Sequence, residues 1–171
     1  MQSLFVAEAQ YNRWANQRLY TELARLTPAQ LTETSAVNFG SIIAIANHLL
    51  LADRLWLFRF TNAGNPVSTA DAVPYPALAD LAAARNVEDA RIIAFANDLD
   101  PDWFAATLTY TTTEGTPMAM PVALCVAHFF NHQTHHRGQI HGMLGAFGIK
   151  AADIDLLGFE RETGSYAASL A

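Results

Sequence analysis

From Ile42 to Ala52 the chain is apolar at nearly every position, broken only by Asn47 and His48. A helix that is apolar on all sides is buried on more than one of them. This stretch therefore requires a fold in which one helix is covered by several others, and it also offers a surface for a dimer contact. The run is shorter than the roughly 18 apolar residues of a membrane span, and it carries two polar side chains. No membrane association is expected.

The rest of the chain supplies the covering helices. Phe5, Ala9, Trp14, Leu19, Leu23 and Leu26 recur near helical spacing and predict a first helix from about Ser3 to Leu26. Pro28 stops it, and Thr27 is placed to cap a short turn beginning at that proline. The apolar run belongs to a second long helix, from about Gly40–Ser41 to Phe60, closed by a loop holding Asn62, Gly64, Asn65 and Pro66. A third is predicted from Ala77 to Asp98, with Arg85, Glu88, Asp89 and Arg91 as its wet face. The period then changes. Thr107 to Thr112 alternates and is rich in β-branched residues, Glu114-Gly115-Thr116 supplies a turn, and Pro117 to Met120 returns as a second short strand. A fourth helix spans about Val122 to Phe147 and ends at Gly148. The tail holds a short segment, Ile154 to Leu157, and a loose Gly/Ser/Ala end. The prediction is all-α: a four-helix bundle with a small β-hairpin before the last helix.

With 171 residues, 51% of them apolar, the chain suits one domain over 1–171 with a sizeable core. Net charge is −6 and no basic stripe exists, so nucleic-acid binding by phosphate neutralisation is disfavoured. The lone cysteine, Cys125, forms no intramolecular disulfide and reads as a small core residue. The N-terminus lacks the positive start of a secretory signal. A cytoplasmic location is expected.

Five of the six histidines lie in the fourth helix: His128, His132, His135, His136 and His141. Residues four apart sit about 40° apart around a helix, so His132 and His136 point the same way, one turn apart, as a chelating pair does. His128 with His132 is the competing pair. His135 lies at the edge of that side, and His141 points nearly opposite. A site needs a ligand from another element, and His48 is the only histidine outside this helix. In its apolar surroundings an unpaired imidazole is unfavourable. Three neutral ring nitrogens leave room for water or substrate, the pattern of a catalytic metal. Asp53, five residues past His48, points about 140° away. Gln133 stands where an H-E-x-x-H peptidase carries its glutamate, which argues against that mechanism.

Asn131-His132-Gln133-Thr134-His135-His136-Arg137-Gly138-Gln139 resembles the N-H-x-x-x-H-R-G-Q signature of the DinB-like family. Tyr11 to Leu19 resembles its first-helix motif, and Ala46 to Asp53 the segment carrying its first ligand. The resemblance spans nearly the whole chain. It implies a homodimeric four-helix bundle with a nickel- or zinc-like divalent ion held by His48, His132 and His136. It also implies kinship with transferases and isomerases that use low-molecular-weight thiols. Two functions follow as expectations: a metal-dependent enzyme, a thiol transferase or hydrolase acting on a small molecule, or a non-catalytic, dimerising metal-binding stress protein. Gln139 is placed to hold a ligand's second ring nitrogen or a substrate, His128 to support a ligand from behind, and His135 to line the pocket or carry a proton, with ordinary polar packing the favoured reading of both histidines. Arg137 reads as structural, Gly138 as a close helix contact, and Tyr11, Asn12 and Trp14 as core or pocket lid.

Overall fold

The computed structural model describes residues 1–36, 39–64, 67 and 69–168. Four long helices carry the fold: α1 (Gln2–Leu23), α3 (Ile42–Thr61), α4 (Leu78–Asn97) and α5 (Val122–Ala146). Between them lie the short α2 (Pro28–Thr32) and a 3-10 turn, Pro101–Ala105. Strands β1 (Thr107–Thr111) and β2 (Pro117–Pro121) pair antiparallel, with Thr109 opposite Ala119. Two further helices, α6 (Leu156–Thr163) and α7 (Ser165–Ala168), follow the bundle. The expected four-helix bundle with a hairpin before its last long helix is what forms.

Local chemistry sets the boundaries. Thr27 and Gln30 make the reciprocal capping box that starts α2 at Pro28. The Ser41 side chain accepts from the Ala44 amide and starts α3, and Asn62 ends it in the left-handed conformation. Asn65 and Pro66, predicted to belong to the loop beyond, lie outside the described residues. In the tail, the Asp155 side chain accepts from the amides of Leu157 and Gly158 and opens α6, so the predicted short segment is the start of a helix. Its Phe159 packs against Tyr11 and Trp14.

The bundle is a ring in which α1 and α3 each touch both α4 and α5. Two apolar clusters fill it. One gathers Phe5, Trp56, Leu57, Ile92, Val126 and Phe129, and the other Leu19, Ile42, Leu50, Leu81, Ile140 and Leu144. Ile42, Ile45 and Leu50 are fully enclosed by the chain itself. The apolar run on α3 is thus covered without recourse to a dimer.

Between the clusters lies a polar layer, and here the structure corrects the sequence reading. Arg85, Glu88 and Asp89 are buried, not a wet face. Arg85 pairs with Asp53 at 2.5 Å and with Asp89 at 3.0 Å. Asn12 and Asn16 donate to Asp89 at 3.2 and 2.9 Å, Gln133 donates to Asp53 at 2.9 Å, and Arg137 donates to Asn12. Every long helix contributes, so each charge withdrawn from water finds a partner on a neighbouring helix. Alternating charges three and four apart on α4 match a solvated face and a buried network equally well. Only the presence of Asp53 and Asn16 opposite them selects burial.

Candidate metal centre

His48 sits two turns into α3, and His132 and His136 sit one turn apart in the middle of α5. Helices α3 and α5 are direct neighbours, so the three imidazoles meet at their shared face. Nε2 of His132 lies 3.3 Å from Nε2 of His48 and 3.1 Å from Nε2 of His136. Tetrahedral nitrogens at about 2.0–2.1 Å from one ion stand about 3.3 Å apart. Both separations from His132 therefore match the spacing of a tetrahedral ion, and one ligand atom from each of the three rings lies within 4.8 Å of the others.

The outer nitrogens set the tautomers. His48 Nδ1 donates to the Ala70 carbonyl at 3.0 Å, and His136 Nδ1 donates to Gln139 Oε1 at 2.7 Å. A ring that donates through Nδ1 keeps its Nε2 lone pair free, so both point an electron pair at the shared centre. Burial lowers the pKa of His48. Burial, then the neighbouring imidazoles, takes His132 down to about 3. His136 falls to about 4, with burial again the largest cause. All three rings are thus neutral near pH 7, the form in which imidazole binds metal.

Phe39 stacks on His48, ring centroids 3.9 Å apart, and meets His136 edge-on. It holds φ at +70°, a left-handed conformation that costs a bulky residue about 1–3 kcal/mol and persists where surroundings enforce it. Sequence reasoning missed Phe39, Ala70 and the nearby Asp71, whose carboxylate is 4.0 Å from His48 Nδ1. A loop approaching from elsewhere leaves no periodic signal.

The other singled-out residues separate cleanly. Gln139 stands against Nδ1 of His136. His128 and His135 are exposed beside the triad, with ring centroids 5.8 Å from His132 and 4.8 Å from His136 respectively. His141 is elsewhere, its Nε2 3.1 Å from the Ala152 carbonyl. Cys125 is buried in the core. Asp53 and Gln133 belong to the polar layer. Arg137 is fully buried there, its guanidinium 5.1 Å from the Tyr11 ring. Tyr11, Asn12 and Trp14 do not close the site: Tyr11 donates to the Ile154 carbonyl, Asn12 joins the polar layer, and Trp14 bonds Glu162. Gly138 makes no close helix contact, since a Cβ there meets nothing within 4 Å among the described residues.

A helical bundle carrying three convergent imidazoles between two of its helices defines a class of protein able to hold a metal ion. The sequence model of the DinB family matches residues 1–167, and the chain belongs to that family. It is similar to Protein DinB of Bacillus subtilis (strain 168), 27% identical over 155 residues that cover 85% of this chain and 87% of the relative. A crystal structure of a DinB-like protein from Bacillus cereus ATCC 10987 shares the fold. Its TM-score is 0.56 at 18% identity, over 81% of this chain and 89% of that one. No described helix is long and apolar enough to cross a membrane.

Proposed function

We propose that this protein is a metal-dependent enzyme of the DinB family, one domain over 1–171, whose His48, His132 and His136 hold a single divalent ion, zinc or nickel. The observation that carries this reading is the trio of Nε2 atoms at 3.1 and 3.3 Å, two of them fixed in the ligating tautomer by Gln139 and Ala70. When bound, such an ion supplies Lewis acidity near neutral pH, suited to thiol transfer to an electrophile or to hydrolysis of a small molecule. The protein's own part is to present three neutral nitrogens on one side and leave the other approachable. His132 is only half-buried, and exposed His128 and His135 flank it, so a small molecule has a route in. A cytoplasmic homodimer is the setting that the family resemblance favours.

Elemental analysis of protein purified without a metal-affinity tag tests this. About one equivalent of metal is expected, and no uptake of zinc or nickel would refute it. Turnover is tested by screening the loaded protein against electrophiles with several cellular thiols and against esters.

A second reading, a non-catalytic metal-binding protein, rests on one observation. A cavity of about 750 Å³ lies between α1, α5 and residues 153–156, and none of the three histidines lines it. Metal binding with no turnover in that screen would select this reading.

A further inference from the structure

Arg59 stands in the last turn of α3, eleven residues beyond His48. That separation brings the side chain back to within about 20° of His48 around the helix, about 16 Å further along its axis. The guanidinium is held between two rings, 4.7 Å from Trp56 and 4.5 Å from Tyr110. Its Nη2 donates to the Thr111 carbonyl at 3.1 Å, and its Nε is enclosed with no acceptor. Among the described residues no carboxylate comes within ion-pair distance, whereas Arg18, Arg25, Arg54, Arg85 and Arg91 each have one. The carboxylate that responds to its charge, Glu114, is fully exposed in the hairpin turn.

Arg59 is also connected to the metal centre. Trp56 meets His128 edge-on at 5.1 Å, and His128 lies 5.8 Å from His132. The charge of Arg59 bears on His128 and Cys125, so the guanidinium faces α5. A line of ring contacts therefore runs from a cation without a carboxylate partner, past the largely buried Trp56, to exposed His128 and the three histidines. Desolvation lowers the pKa of Arg59, outweighing the opposing pull of Tyr110, Glu114 and Cys125. A fixed guanidinium in this condition is a ready partner for a carboxylate.

We propose that Arg59 is the anion-recognition residue of the three-histidine centre, so that its substrate is an elongated molecule with a carboxylate at one end and its reacting group at the other. This rests on the metal reading above. From His48 to the level of Trp56 is about 12 Å along the helix, so the two ends are separated by a chain of several bonds. The middle of the molecule lies over the exposed ring of His128.

Cobalt-loaded protein tests the assignment with probes of defined length. Mercaptohexanoate and mercaptohexanol carry the same thiol, and its coordination is read from the sulfur-to-cobalt charge-transfer absorption. The carboxylate probe is expected to bind about tenfold tighter, the worth of one charge-assisted hydrogen bond. Arg59→Met should bring the ratio to about one and Arg59→Lys should restore part of it. Mercaptoacetate, too short to span the distance, should bind wild type and Arg59→Met alike. A purely structural role for Arg59 would shift both long probes together. Equal affinities for the two long probes in the wild type, an unchanged ratio in Arg59→Met, or no absorption with either long probe on loaded protein would overturn the assignment. Failure of cobalt to load would instead remove the metal reading itself, and this inference with it.

Discussion

Gln139 accepts a hydrogen bond from Nδ1 of His136 at 2.7 Å, about one turn along the same helix. Because it fixes which ring nitrogen carries the proton, Gln139 sets how His136 would face a metal that Gln139 itself does not touch. Gln139→Leu is expected to weaken metal affinity about 10–100-fold, the usual cost of losing such a partner. Saturating stoichiometry should not change. A competition titration against a chromophoric chelator measures this, and unchanged affinity would mean the hydrogen bond does not tune the site.

His132→Ala and His136→Ala should each abolish tight metal binding, while His141→Ala should leave stoichiometry intact. His132 is the sharper test because its Nε2 is within 3.3 Å of both partners. Bound metal is read by elemental analysis after dialysis. Loss of metal in the His141 variant would place the ligand face on the wrong side of α5.

Acid should destabilise the metal-free protein through these same rings. In the folded state His132 and His136 take protons only at about 3 and about 4, against 6.5 for a free histidine. As pH falls below about 6.5 the unfolded chain binds protons that the folded chain refuses, so stability is full above that pH and declines down to the folded values. The loss of urea-denaturation midpoint between about pH 7 and about pH 4.5 should be smaller in a His132→Asn, His136→Asn variant. Equal losses in the two proteins would show that other groups govern the acid limb.

The polar layer makes a separate prediction. Arg85→Met leaves Asp53 and Asp89 buried without their cation, and breaking such a pair costs about 3–5 kcal/mol. Urea denaturation should show a loss of that size. A change under about 1 kcal/mol, the worth of a surface ion pair, would mean that the two carboxylates find water or protons instead.

Most of the helices could be located in the sequence, and the reasons are local. Apolar spacing marks the long helices, Thr27-Pro28 and Ser41 mark two starts, and the alternation from Thr107 marks the hairpin. The His132/His136 pair is equally a local fact, since spacing along one helix determines which side chains share a face. The sequence by itself therefore settled the fold class, the family, and two of the three histidines on one helical face. The meeting with His48, and the stacking of Phe39 on it, depended on which helices became neighbours and where a loop came to rest. So did the inward turn of Arg85, Glu88 and Asp89, because charges on a helix face water or one another according to what stands opposite. Helix spacing is written along the chain, whereas partnership between helices exists only once the bundle has closed.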